Sequence, residues 1–384
     1  MITDRQRALH LLRRIERESL FASALLAHET GFVRTLVLGV LRWRSRLDWA
    51  IGTLANRPVK KLDDQVVEVL RVGLHQLLYM NVAQHAAVSE SVDLAPKRAR
   101  GFVNAILRQA TRSVLPDPPD VATRCAHPPW LIERWSRRYG AARAAAIAET
   151  NQQLSYPDVL SLRGDPPPGG VASELVADVW KLRGSTAELD REASYPMDEG
   201  SAVIAAIARA CGDDILDLTA APGSKSLYMH TQGAKVVAND LSIARLRPLA
   251  MRDIPIVVSD GRQPSFSRRF KVVLLDAPCS ATGTIRKNPE LKWRLREDDL
   301  PGFAALQREL LASAMSLASE YVVYSTCSLE PEENELIVDA HERIDISPFV
   351  PEGARPWVKN GVLQLTPESG ADGFVAHCLR VRQG

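Results

Sequence analysis

Two cysteines in this chain stand where their thiols could do chemistry. Cys279 lies in DAPCSATGT (276–284) and Cys327 in VVYSTCSLEPEENE (322–335), each just after a short apolar run. A single cysteine in such a place is more often a small buried hydrophobe than a nucleophile. Here, however, further runs end on acids, at Asp217, Asp240, Asp260 and Asp276. Cysteines and acids at successive strand ends share one sheet edge, where open α/β sheets bind ligands. The remaining cysteines, 125, 211 and 378, complete an odd and scattered set of five, with no CxxC pair and no histidine at ligand spacing. That argues against a disulfide framework or a metal site, and for reducing cytosol. It also gives a redox pair little support.

The segment DILDLTAAPGSKS (214–226) reads as a buried strand turning into a helix through small residues. Small side chains let backbone approach a ligand, and a helix start offers free N–H groups. Thr219, Ala220, Ala221, Pro222, Gly223, Ser224 and Lys225 are therefore candidate cofactor contacts. Asp240 follows Asp217 by 23 residues, at the end of the next strand, and suits ribose hydroxyls. The loop has neither GxGxxG nor GxxxxGK[ST], which disfavours a dinucleotide or a nucleoside triphosphate. An adenosine cofactor without a pyrophosphate, S-adenosylmethionine, fits better.

A thiol beside a methyl donor suits one reaction in particular. Carbon 5 of a pyrimidine is a poor nucleophile until a thiolate adds at C6 and turns the ring into an enamine-like species. The ring then needs an acid near N3, and a base must later remove the C5 proton. Cys327, Cys279 and Asp276 are the catalytic candidates.

The elements that must position them fall into distinct regions. Residues 1–112 read as about six helices, with apolar residues recurring at three and four. The helix over DQVVEVLRVGLHQLLYM is preceded by a stop at Asn56-Arg57-Pro58 and opened by Asp63-Asp64. This region carries 18 Lys/Arg against 10 Asp/Glu, net +8, within a chain of net +2. Such asymmetry fits a grip on a polyanion or, equally, a solvated arginine-rich surface. Residues 113–129 hold five prolines and read as a linker. Residues 130–196 form a small α+β adaptor, helical at WLIERWSRRYG and again at VASELVADVW, with a short strand at LSLRG. Residues 197–384 alternate short apolar runs (DILDL, KVVAND, IPIVVSD, KVVLLDAP, YVVYSTC) with helical stretches, the pattern of an α/β domain on a parallel sheet. The glutamates 330, 332, 333 and 335 fit the start of a helix better than activation of Cys327, since negative charge raises a thiol pKa. The amino end is charged from residue 4, so no signal peptide is expected, and no run is long enough to span a membrane.

LDLTAAPGSKS, DAPCS and STCS, in this order, resemble the RNA cytosine-C5 methyltransferases of the Nol1/Nop2/Sun group. LVLGVLRWRSRLDWAI, LRVGLHQLLYM, HAAVSESVDLA and GFVNAILRQ resemble the NusB-like RNA-binding domain fused to the bacterial Sun/Fmu members, and DGFVAHCLRV their closing strand. The resemblance covers about residues 1–150 and 197–384. It implies an all-α NusB-like domain, a Rossmann-like class I S-adenosylmethionine-dependent methyltransferase domain, and 16S rRNA as the RNA partner. It further implies that Cys327 attacks C6 and Cys279 assists breakdown of the adduct. Asp276 would bond N3 and lie near the cofactor, residues 219–225 would hold the methionine end of the cofactor, Asp240 the ribose and Asp260 the adenine. The family pattern usually has Cys and Gly where this chain has Thr219 and Ser224, and MDEGSA (197–202) departs from its usual segment. Ser224 adds a side chain to the turn, at an expected cost in cofactor affinity.

For RNA, IRKNPELKWR (285–294) offers Arg286, Lys287, Lys292 and Trp293, cations for phosphates and an aromatic for stacking. Arg42, Arg44 and Arg46 in LRWRSR form a second candidate patch, with Trp43 either part of it or core. Two other readings stay open: the same chemistry on tRNA or another RNA, and an inactive NusB-like assembly factor.

Overall fold

The computed structural model describes residues 2–182, 189–190, 192–250 and 252–382. Its contacts divide the chain into two compact units, Met1–Gln153 with Ile285–Leu295, and Leu154–Thr284 with Arg296–Gly384.

The first unit is helical. Its region 1–112 holds α1 (Asp4–Arg17), α2 (Ala22–Leu26), α3 (Gly31–Ala55), α4 (Asp64–Tyr79), α5 (Gln84–Leu94) and α6 (Arg100–Ala110). The signals that bound these helices are local. Thr3 and Gln6 form a capping box at α1, Asn56 closes α3 in the left-handed region, and Asp63 accepts from the Gln65 N–H at the start of α4. Leu11, Ile15, Leu36, Leu47, Ile51, Leu70, Leu74 and Leu107 are fully buried and form the core. The proline-rich stretch contains the short α7 (Val121–Arg124), and α8 (Pro129–Tyr139) and α9 (Ala141–Thr150) follow it. The unit boundary thus falls at Gln153, inside the stretch expected as one adaptor.

The second unit opens with a four-stranded antiparallel sheet in the order β2-β3-β1-β4, from β1 (Asp158–Ser161), β2 (Gly170–Ala172), β3 (Val179–Leu182) and β4 (Ser194–Pro196). A helix over VASELVADVW is not what forms. Ser173 Oγ accepts the N–H groups of Leu175 and Val176, Asp178 has φ +62°, and the flanks pair as strands. An apolar spacing of three and four is met equally well by strand, tight turn and strand.

The main sheet has nine strands, in the order β11-β12-β13-β9-β8-β5-β6-β7, with β10 paired to β13. Its parallel half comprises β5 (Asp214–Asp217), β6 (Lys235–Asp240), β7 (Ile256–Val258), β8 (Phe270–Asp276) and β9 (Ala318–Thr326). The antiparallel half comprises β10 (Arg343–Ile344), β11 (Val358–Lys359), β12 (Val362–Leu365) and β13 (Phe374–Arg380). Both faces are covered. Val272 and Leu274 of β8 pack in the cluster of α10 (Glu199–Cys211) and α11 (Ser224–Thr231). Val273 and Leu275 pack in the cluster of α14 (Leu300–Leu317). A strand buried on both faces reads as an unbroken apolar run, which is why KVVLLDAP was legible. The remaining short helices are α12 (Ile243–Leu246), α13 (Leu291–Arg294, in the first unit) and α15 (Glu335–Val338).

Candidate active site

The carboxyl ends of β5, β6, β7, β8 and β9 meet along one edge, and the loops after them are cross-tied. After β5 the chain runs through Thr219–Gly223 into α11, with a cis peptide at Ala221–Pro222. The Ala220 N–H donates to the Asn239 carbonyl (2.8 Å) and the Ala221 N–H to Asp240 Oδ2 (3.1 Å). Asp240 Oδ1 accepts the Ser242 N–H (3.1 Å), and Asn239 Nδ2 donates to the carbonyls of Leu218 and Ser259.

These residues fit an adenosine cofactor. A carboxylate has about four acceptor positions; Asp240 commits two of them to backbone, which leaves capacity for ribose hydroxyls. Leu241 and Ile243 follow it as exposed apolar side chains, and Val258, its partner across the β6–β7 pairing, is 49% exposed. An apolar ledge next to an acid suits the two faces of a nucleoside. Asp260, the expected adenine contact, holds a fork with Arg262 (3.1 and 2.7 Å), which keeps its carboxyl below the usual range. Any adenine contact there is shared with that guanidinium. Asp217 lies behind the loop rather than on the ledge. It is 1% exposed and accepts from Ser226 Oγ (2.6 Å), and burial pushes it up to about 7.

The catalytic candidates come from β8 and β9, whose parallel register sets Asp276 opposite Ser325. Ser325 Oγ donates to Asp276 Oδ1 (2.8 Å) and Lys225 Nζ holds Asp276 Oδ2 at 2.6 Å. Burial alone would lower the Lys225 pKa, but Asp276 overrides it and the net shift is upward, so the lysine stays charged. Thr219 Oγ1 donates to the Asp276 carbonyl (2.9 Å) and Lys225 Nζ reaches Ser201 Oγ (3.3 Å). The departure at Thr219 therefore adds a bond to Asp276.

Cys279 lies three residues beyond the end of β8 and Cys327 one beyond the end of β9; their sulfurs are 3.4 Å apart and both residues are partly exposed. The hydrogen bond to Cys327 and then burial push the Cys279 thiol well above its ordinary value, so it stays S–H at neutral pH. The arrangement places a protonated thiol against a second sulfur, beside a carboxylate–ammonium pair. Among the described residues no group of three or more His, Cys, Asp and Glu could hold a metal, and no helix is long and apolar enough to cross a membrane.

The expected RNA patches look different. Arg42, Arg286 and Lys292 are only 6%, 7% and 1% exposed. Arg42 Nη2 donates to the Arg286 carbonyl (2.9 Å), Lys292 Nζ to the Arg42 carbonyl (3.0 Å) and Trp293 Nε1 to the Leu41 carbonyl (2.6 Å). Burial drives the Lys292 pKa well down. As placed, these residues support the interior of the helical unit instead of facing phosphates. Trp43 stacks on Tyr79 at 4.4 Å and belongs to the core. Arg44 pairs with Glu16, Arg46 donates weakly to the Arg124 carbonyl (3.4 Å), and Lys287 is half-buried.

Glu333 is the residue that sequence reasoning missed. Expected to open a helix, it is fully buried and accepts from Ser280, Ser328 and Gln307. Its partners lie up to 53 residues away, so no local signal could mark it.

A Rossmann-like sheet with an adenosine ledge on one edge, beside paired thiols, defines an S-adenosylmethionine-dependent methyltransferase carrying a NusB-family helical domain. The family model described as "16S rRNA methyltransferase RsmB/F" matches residues 204–380, and the "NusB family" model matches residues 3–112. "Ribosomal RNA small subunit methyltransferase B" of Escherichia fergusonii is 34% identical over 355 residues, 81% of each chain, and its counterpart in Shigella flexneri serotype 5b is also 34% identical, over 354. The chain belongs to the RsmB/F family of 16S rRNA methyltransferases. Its fold is shared with PH0851 (TM-score 0.73, 22% identity, 98% of both chains). It is shared also with NSun6 from Pyrococcus horikoshii (TM-score 0.55, 18% identity, 67% of this chain and 99% of that one).

Proposed function

We propose that this methyltransferase forms 5-methylcytosine in 16S rRNA through a covalent adduct at cytosine C6. The observation that carries this reading is the 3.4 Å approach of Cys279 and Cys327 beside Asp276. Cys327 gives up its S–H proton to a base and adds through Sγ to C6 as the thiolate, which makes C5 nucleophilic. S-adenosylmethionine supplies the electrophilic methyl group. The Lys225–Asp276 pair faces the N3/N4 edge: the carboxylate accepts from the exocyclic amine, and the ammonium supplies hydrogen-bond donation as charge builds on N3. After a base removes the C5 proton, Cys327 leaves, and the Cys279 S–H beside it is placed to assist that departure. The target base must leave its stack to expose C6.

Substitution of each cysteine tests the assignment. Cys327→Ala should abolish methyl transfer and form no RNA adduct. Cys279→Ala should accumulate one, as a band on RNA that survives denaturation. Normal methylation by Cys327→Ala would sink the mechanism. The choice of 16S rRNA rests on the relatives' names and the NusB-family domain. Bisulfite sequencing of a deletion strain checks it, and loss of a tRNA site instead would move the chemistry to tRNA.

A further inference from the structure

The loops that carry the two cysteines are joined by a hydrogen-bond network centred on Glu333; burial pushes its carboxyl pKa up, while the bonds from Ser280, Ser328 and Gln307 pull it back down. The Ser280 N–H donates to Glu333 Oε1 (2.8 Å), and so does Gln307 Nε2 (3.0 Å). The hydroxyls of Ser280 and Ser328 both donate to Oε2. Four donors fill the four acceptor positions of a carboxylate. Gln307 Nε2 also donates to the Pro278 carbonyl (2.9 Å), so Cys279 is held from both sides. Cys327 is gripped by its own neighbours. Its carbonyl accepts the Gly283 N–H (2.9 Å), and the Leu329 N–H donates to Thr282 Oγ1 (2.8 Å). Gly283 has no room for a side chain, since a Cβ there would sit 2.3 Å from the Gly373 carbonyl oxygen. Among the described residues, no hydrogen bond joins Glu333, Ser280, Ser328 or Gln307 to Asp240 or the apolar ledge.

We propose that Glu333 is a positioning residue for the transfer reaction: its carboxylate ties the residue after Cys279 to the residue after Cys327 and fixes the separation of the two sulfurs. The inference rests on the reading of Cys327 as nucleophile. Charge-assisted bonds are roughly twice as strong as neutral ones, and a displacement of about 1 Å at reacting atoms costs on the order of 100-fold in rate. An amide at 333 keeps the shape but brings N–H donors against serine hydroxyls and N–H groups that need acceptors.

The experiment follows adduct formation in a Cys279→Ala background, with and without Glu333→Gln, alongside kcat and KM of Glu333→Gln alone. Glu333→Gln should slow adduct formation and kcat at least about 30-fold, while KM for RNA and Kd for S-adenosylmethionine stay within about threefold. General damage would move cofactor binding and Tm together with kcat, and that pattern overturns the proposal, as does an unchanged adduct rate. Should Glu333→Gln fail to fold, Ser280→Ala and Ser328→Ala each remove one donor, and each should lower kcat about three- to tenfold at constant cofactor Kd; unchanged kcat in both overturns the proposal. Failure of the underlying reading looks different. In that case Cys279→Ala traps nothing and Cys327→Ala stays active, whatever Glu333→Gln does, and the positioning role falls with it.

Discussion

Asp217 shows how a site can hold an acid that never meets its ligand. The carboxyl sits under the cofactor loop with Ser226 as donor, and its other oxygen has no hydrogen-bond partner. Burial raises it from 3.8 to about 7, against the opposing pull of Ser226 and Lys225. Because the folded pKa lies above the unfolded one, the folded state binds the extra proton. The contribution is fully present below about pH 4 and is lost as pH rises toward about 7. Asp217→Asn should therefore gain stability relative to wild type across that window, at up to about 1.4 kcal/mol per pH unit. Thermal melts at pH 5, 6 and 7 measure this; parallel losses in the two proteins would rule Asp217 out as the titrating group. At this scale Cys279, Cys327, Asp240 and Asp276 are legible in the sequence as candidates, because each ends or closely follows an apolar run. The sequence could not separate Asp217 from the other acids, since burial behind a loop leaves no trace in spacing.

The strand–loop–helix unit at 214–231 depends on Gly223. The residue has φ +106°, and a Cβ would meet three carbons of Leu249 at 2.4–2.7 Å. Strain and overpacking should make Gly223→Ala cost about 1–3 kcal/mol in stability. The same change should weaken S-adenosylmethionine, because the loop cannot keep its course. Titration calorimetry and melts check both effects; a variant that binds cofactor as tightly as wild type would show the turn to be adaptable. Elements were the most legible level. All five parallel strands were visible as apolar runs, and the count of about six helices in residues 1–112 by periodicity. The stretch 171–180 failed because Ser173 and Asp178 impose a turn within a spacing that a helix would also satisfy.

For the molecule as a whole, the charge asymmetry concerns RNA affinity. Neutralised phosphates release counterions, so affinity should fall steeply with salt, by a log–log slope of about 0.7–0.9 per contact. Removing residues 1–112 is a poor test, because Lys292 and Trp293 pack against Arg42 and Leu41. Exposed lysines serve better. Arg98 pairs with Asp63 (2.9 Å) and so sets the turn bearing Lys97 beside that bearing Lys60 and Lys61. Replacing all three lysines by alanine should flatten the salt slope by about one per lost phosphate contact. Binding isotherms at three or more salt concentrations measure it, and an unchanged slope would remove this face from the RNA path.

By itself the sequence determined the helical and α/β regions and the methyltransferase class, and it named a candidate cofactor loop and a candidate thiol pair. These are written in local periodicity and in residue types at strand ends. Only the tertiary structure decided which charges face solvent and which are internal, because Arg42, Arg286 and Lys292 look like any surface cations until distant carbonyls accept from them. It alone also brought Glu333 to Ser280, since the parallel pairing of β8 and β9 joins loops that lie far apart in the chain.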